Sequence, residues 1–580
     1  MSTNTTNPIA DLFTNDYDED GFRRCSVTGL DVHRSVENYV KLFGLTAVVS
    51  LVVGGLFAFF VAMTRWELVG LLGPGDYYAF LSMHAWNLLI FWMVFMEIAV
   101  LYVGGPMVLG RRLPLTKVAA AGWVTMFLGA VGVNVSTWLT ESPNQAPLLT
   151  AYVPLPVSPW FYASAVVFLL GATIAAVPFF AAIWKEKKWG ESTTLPLIAF
   201  GAFVTSIIAV EAILGGIAAF AYALAWRLEL IASVDAGLYR QWYWIIGHGS
   251  QQINLVAMIT VWYFLTHVVG GAVVVSEKVS RSAFILYLFF INLGAAHHLL
   301  VDPGVSTGWR IWNTSYAFYG AAFASMVHAF AIPAGIEAGR RGRGLGGGLF
   351  GWLTSAPWRN PVFSATVFSV ILFGFLGGIT GVVMGQMQVN MTWHNTFATV
   401  GHFHATVALG TSLAFMGLVF FVIKTMFRRS YISDRLAAAV PYVYAGTMGV
   451  TTLMMMYAGI LFGVPRRTVE VVRNIPGTEF SLSAATPLLT VFGLFAALAV
   501  LGGLLFVVVA VGSLLFGDDL EQGEATELLP QGGLHPDGGE SVHAADLRGT
   551  FTLCLVFIAV FAASYVLNWY LLTQLWSIGV

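Results

Sequence analysis

An all-α polytopic membrane protein of about 12 to 13 transmembrane helices is expected from three observations. Of the 580 residues, 57% are hydrophobic and only 10% charged, against roughly 25% charged in an ordinary soluble domain. Apolar runs of about 20 residues, long enough to cross a bilayer at a rise near 1.5 Å per residue, recur along the whole chain. Lys and Arg concentrate in alternate loops between those runs. The formal net charge of −2 gives no basic face, so no nucleic-acid partner is expected. The cysteines are Cys25 and Cys554, with no CxxC pair, which excludes a zinc ribbon and covalently attached haem. Any metal must be held by other side chains.

Taken in order, spans are expected near 43–63, 79–105, 117–138, 159–184, 195–225, 241–268, 283–300, 311–335, 361–386, 395–423, 436–463, 486–516 and 549–575. Residues 1–42 then form a polar cytoplasmic N-terminal segment and 43–516 a core of about twelve helices. Residues 517–548, rich in Gly and acids, read as a flexible cytoplasmic loop, and 549–580 hold one additional helix. The acidic start, Asp16 to Asp20, is not a cleaved signal, because no apolar core precedes residue 43. A cytoplasmic N-terminus puts Arg111, Arg112 and Lys117, then Lys185, Lys187 and Lys188, then Lys278 and Arg281 on the inner side. Arg340, Arg341, Arg343, Lys424, Arg428, Arg429 and Arg435 join them. Arg466 and Arg467 break the rule at the outer end of the eleventh span, which calls for an anionic partner there.

Of 12 histidines, His33, His535 and His543 lie in polar segments and the rest in or beside spans. Ionisable groups in lipid are costly and mark function. With this orientation His84, His248, His402 and His404 fall within about two turns of the outer ends of the second, sixth and tenth spans. His297 and His298 sit at the outer end of the seventh. Six imidazoles from four helices thus share one layer. His402 and His404 are two residues apart, about 200° around a helix, so they face opposite sides and serve two centres. Neutral imidazole suits haem iron and copper.

These residues resemble subunit I of the haem–copper oxidase superfamily, over nearly the whole chain. His394-Asn395-Thr396-Phe397-Ala398-Thr399-Val400-Gly401-His402-Phe403-His404 is similar to the tenth-helix motif. The resemblance implies His394 beside a haem propionate, His402 on high-spin haem iron and His404 on low-spin haem iron. Ser82-Met83-His84 resembles the motif supplying the other low-spin ligand, and Trp244-Ile245-Ile246-Gly247-His248 the segment with the first copper ligand. His297-His298 followed by Asp302-Pro303-Gly304 resembles the copper pair and loop of the B-type branch, and Pro465-Arg466-Arg467 the pair that holds propionates. The resemblance implies the subunit I bundle, two haems of unspecified type and one copper on His248, His297 and His298. It also implies Trp244 packed beside the copper, and a respiratory chain that passes electrons from the low-spin haem to the haem–copper pair.

Two departures bear on the substrate. The crosslinked tyrosine found four residues after the first copper ligand in most oxygen-reducing members is Gln252 here. The position used by another branch is Ile291, with Tyr287 one turn away. The glutamate two residues after that ligand is Ser250. An amide cannot supply the electron and proton that O–O scission takes from the phenol, whereas joining two NO into N2O needs no such donor. A nitric oxide reductase of the B-type branch is therefore expected, with an O2-reducing cytochrome c oxidase subunit I as the alternative and a polytopic secondary transporter as the remote one. Gln252 could instead serve only helix packing, and a bis-histidine electron carrier would leave the copper histidines without a role. Glu211, Glu97, His267 and His328 are proton-path or packing residues. The resemblance further suggests a second subunit with a cupredoxin-like copper domain, cytochrome c or a blue copper protein as donor (quinol being possible), and the plasma membrane of a prokaryote.

Overall fold

A computed structural model describes residues 12–140, 145–190, 194–290, 297–469, 483–520 and 546–575. Among them twelve helices are long and apolar enough to cross a membrane. These are α1 (Arg34–Arg65), α2 (Pro74–Met107), α3 (Thr116–Trp138), α4 (Pro159–Trp189), α5 (Leu197–Arg227) and α6 (Ala236–Gly270). After the shorter α7 (Glu277–Phe290) come α8 (Thr307–Gly342), α9 (Pro361–Met384), α10 (Phe397–Thr425), α11 (Asp434–Phe462), α12 (Ser483–Phe516) and α13 (Arg548–Leu575). In bilayer every backbone polar group must be satisfied within the segment, which is why runs of this length become helices.

Helices follow the expected spans, with two differences. α1 starts at Arg34 rather than near 43, because Asp31–His33 pairs with Phe22–Arg24 as a small antiparallel ribbon and the His33 ring accepts from the Ser35 N–H as an N-cap. The first turns of α1 then bury Glu37 and Lys41, 3.0 Å apart, with Arg23 2.7 Å from the same carboxylate. The second is α7, described only to Phe290; Ile291 and the rest of the expected span to residue 296 lie outside the described residues, and His297 begins a single tight turn. Most of the expected 517–548 loop, with His535 and His543, also lies outside them.

Burial separates the helices. The most apolar windows of α6, α2 and α10 are 94%, 89% and 89% buried, and that of α13 only 6%. The helices that carry His248, His84 and the His402/His404 pair are therefore the axis of the bundle, while α13 packs on its rim. Most successive helices are neighbours, as short connections require, whereas α13 packs on α8 and α9 rather than on α12.

Candidate metal and haem centres

His84 and His404 face each other across α2 and α10, with ring centroids 6.1 Å apart and planes within 15° of parallel. Bonds from imidazole nitrogen to metal are about 2 Å long, so two rings on opposite sides of one ion stand roughly 6 Å apart. Each ring is held by its Nδ1, His84 at 3.3 Å from the Gly54 carbonyl and His404 at 2.8 Å from that of Val400. That leaves each Nε2 as the free donor atom, the arrangement found in protein metal ligands. Around the pair lies a cavity of about 540 Å³ with apolar walls from α1, α2, α10, α11 and α12, closed at one end by Arg65, Arg466 and Arg467. A flat, apolar macrocycle with anionic substituents fits that cavity.

The second constellation is compact. Donor atoms of His248, His297 and His298 lie within 4.8 Å of one another. The His248 and His297 ring centroids are 4.1 Å apart, and His248 Nδ1 is 2.9 Å from His298 Nε2. Three imidazoles from α6 and the turn after α7 suit a copper ion or another late transition metal. Trp244 stacks on His298 at 3.9 Å and 6° and donates its indole N–H to the Tyr152 hydroxyl at 2.7 Å. Arg240 bonds Asp302 at 2.8 Å, tying the start of α6 to the loop that follows the histidine pair. Gln252 donates its side-chain N–H to His248 Nε2, and its carbonyl oxygen is buried without a partner.

His402 points away from His404, as the 200° offset requires. Its Nδ1 is 3.0 Å from the Thr380 hydroxyl on α9, and it lies near enough to His297 and His248 for their charges to interact.

Above both centres sits the arginine pair. Val464–Arg466 runs antiparallel to Asn395–Phe397, with Phe397 N–H donating to Val464 O and Arg466 N–H to Asn395 O, both at 2.7 Å. The bridge sets Arg466 and Arg467 beside His394. Burial and the Arg467 charge push Arg466 down to about 9, and burial with Arg466, Arg240 and Arg467 pushes His394 down to about 4. Guanidinium stays charged in proteins, and an anion between the two would offset the cost of burying them together. Haem propionates are such anions.

Several contributors escaped sequence reasoning. Arg65, at the C-terminal end of α1, donates to the carbonyls of Pro465 (2.8 Å) and Thr468 (3.0 Å) and lies over the Phe397 ring at 4.2 Å, so it holds the arginine loop. Wide π-helical turns adjoin the histidines: Trp86–Phe91 after His84, Ala405–Ser412 after His404, and Phe373–Gly378 just before Thr380. A fourth, Trp312–Ala317, precedes Phe318, whose ring is 5.8 Å from His297. Such turns are rare and frequent at functional sites. In the sequence Arg65 looks like an ordinary interfacial anchor at a span end, and the π turns leave no signal.

The remaining candidates separate. Tyr287 donates to Ser325 at 2.9 Å and stacks on His328, so its phenol is engaged with α8. His328 is buried with Nδ1 3.0 Å from the Tyr263 hydroxyl, which donates to Ser280 at 2.9 Å. His267 bonds the Ala272 carbonyl at 2.7 Å across the end of α6. Glu211 is exposed on α5, whereas Glu97 is buried in α2.

Residues 38–505 match the family model described as Cytochrome C and Quinol oxidase polypeptide I. The chain belongs to that family, the catalytic subunit I of haem–copper oxidases, and is an oxidoreductase. It is 28% identical over 525 residues to the cytochrome c oxidase subunit 1 of Thermus thermophilus, covering 87% of this chain and 90% of that one. It is 24% identical to cytochrome c oxidase subunit 1 of Debaryomyces hansenii, over 65% of each chain. A probable quinol oxidase subunit 1 from Staphylococcus haemolyticus is 23% identical, over 66% of this chain and 55% of its own. A heme-copper terminal oxidase dimer solved by cryo-EM shares the fold, with a TM-score of 0.78 over 93% of both chains at 23% identity. Family membership disposes of the transporter reading, implies haems and copper, and makes this a multi-pass membrane protein that works with other subunits.

Proposed function

We propose that this chain reduces nitric oxide, 2 NO + 2 e⁻ + 2 H⁺ → N2O + H2O, as the catalytic subunit of a B-type haem–copper reductase. Gln252 against His248 is the observation that carries this reading. A residue that cannot be oxidised occupies the place from which the fourth electron of O2 cleavage is drawn. The two electrons of NO reduction need no protein radical. In this reading His84 and His404 hold a low-spin haem, His402 a high-spin haem, and His248, His297 and His298 a copper ion. When bound, these groups would supply electron transfer and the metals at which NO is reduced.

The chain's own residues do the rest. Trp244 fixes the plane of His298 by stacking, and Tyr152 fixes Trp244. Gln252 orients His248 through its N–H and offers its free carbonyl oxygen to a protonated substrate oxygen. Arg466, Arg467 and His394 neutralise propionates, and Arg65 holds their loop. The absence of a carboxylate between His248 and Gln252 favours copper over iron at the triad. Electrons arrive through a partner subunit with a cupredoxin-like domain, fed by cytochrome c or a blue copper protein, or from quinol. The site lies toward the outer face of a prokaryotic plasma membrane, with the N-terminus cytoplasmic.

A second reading, O2 reduction, is favoured by the relatives, which are named as cytochrome c and quinol oxidases. NO and O2 consumption measured side by side on the purified complex separates the two. Rapid NO loss with N2O release is expected, and fast O2 uptake with negligible NO loss would overturn the proposal.

A further inference from the structure

Three histidines are assigned above to haem iron, and each is turned by what its Nδ1 meets. At His84 and His404 that partner is a backbone carbonyl, of Gly54 and of Val400. At His402 it is a side chain, the Thr380 hydroxyl of α9, at 3.0 Å, with the Gly377 carbonyl also in reach of the ring.

The Thr380 hydroxyl carries one proton. That proton is directed at its own helix, to the carbonyls of Leu376 and of Gly377, the latter at 3.1 Å. With the proton used there, the oxygen meets His402 as an acceptor, and the ring proton lies on Nδ1. Nε2 is then the unprotonated donor atom, as ligation of iron requires. The two bonds run in one direction, from the ring through the hydroxyl to the backbone, and each polarises the other. Drawing the Nδ1 proton outward makes the ring a stronger donor to iron.

α9 is shaped to bring the hydroxyl there. Gly377, Thr380 and Gly381 stand at i, i+3 and i+4 and so share one face of the helix. A methyl group on Gly381 would come within 2.9 Å of His402 Cε1, and one on Gly377 within 2.9 Å of Thr406 Cγ2 on α10. The two glycines let α9 close on α10 until hydroxyl and ring reach bonding distance. The π turn Phe373–Gly378 ends two residues before Thr380. Its extra residue turns everything after it by one position, about 100° around the helix.

We propose that Thr380 is a positioning residue for the high-spin haem: its hydroxyl fixes the tautomer and plane of the His402 ring and strengthens the bond from Nε2 to iron. Hydrogen bonding to an axial ligand is one of the levers by which a protein sets the reduction potential of haem iron. Thr380 therefore holds that haem at a lower potential than an unsupported ring would. This rests on His402 as a haem ligand, and not on whether NO or O2 is reduced.

The test uses the purified holoenzyme with three variants. Thr380→Val keeps the shape and removes the acceptor, and Thr380→Ser restores it. Thr406→Val is the control, removing an α10 hydroxyl that donates to the Phe403 carbonyl of its own helix at 2.9 Å. Resonance Raman spectra of the reduced enzyme read the iron–imidazole stretch of the five-coordinate haem. In Thr380→Val this band should move to lower frequency and the midpoint potential of the high-spin haem should rise, with the low-spin haem bands unaltered. Turnover of whichever of NO or O2 the complex consumes should fall about tenfold. Thr380→Ser should return band and potential to the parent values, and Thr406→Val should leave them in place. A band and potential that ignore Thr380→Val would mean that the Gly377 carbonyl holds the ring alone, and would overturn the proposal, as would an equal shift in Thr406→Val. Should Thr380→Val lose its haem, Thr380→Cys, with a weakly accepting thiol, decides, and an unshifted band there overturns the proposal. A parent protein without any iron–imidazole band overturns the haem assignment of His402 and this proposal together.

Discussion

The gap between His84 and His404 and the cluster of His248, His297 and His298 solve the same problem in different ways. The first pair stands 6.1 Å apart, and an apolar cavity of about 540 Å³ keeps them so, with Gly54 and Val400 carbonyls turning each ring. The three rings of the second converge, with donor atoms within 4.8 Å of one another and 2.9 Å between His248 and His298. A macrocycle is specified by the shape of its surroundings, because most of its contact area is apolar. A single ion is specified by donor atoms alone. One site is built by helix packing and the other by a handful of side chains.

That contrast predicts how damage should spread. His248→Ala removes a donor from the small site, so copper content should fall to background and turnover by at least about a hundredfold, while the low-spin haem spectrum is unaltered. Gln252→Ala keeps the ligands but removes the amide beside them. About a tenfold loss of turnover at normal copper content is expected, the size of one ordinary hydrogen bond. Arg65→Gln strikes the large site from its edge, leaving carbonyls of Pro465 and Thr468 short of a donor. It should cost about 1–3 kcal/mol, read as easier thermal loss of haem with copper retained. Trp244→Phe keeps a ring on His298 and loses the bond to Tyr152; turnover should fall only about twofold, the low end for one lost hydrogen bond. Copper loss in Arg65→Gln, or haem loss in His248→Ala, would erase the distinction.

The sequence carried the small site better than the large one. Histidines in lipid are conspicuous, so the six imidazoles, their common depth and the opposed faces of His402 and His404 could be read from spacing. Gln252 was likewise visible as a departure at a fixed offset from His248. The large site depends on walls drawn from five helices, and no local pattern announces a cavity. Arg65 reads as an ordinary interfacial anchor until the arginine loop is folded over it. Thr380 is one hydroxyl among many until α9 meets α10. Glu97 and Glu211 look alike in sequence, and only packing buries one and exposes the other.

A metal and haem inventory of the purified subunit, by elemental analysis alongside a reduced-minus-oxidised optical spectrum, decides whether these two sites are what they are taken to be. Two haem irons and one copper per chain are predicted. Three irons without copper, or haem absent altogether, would contradict it.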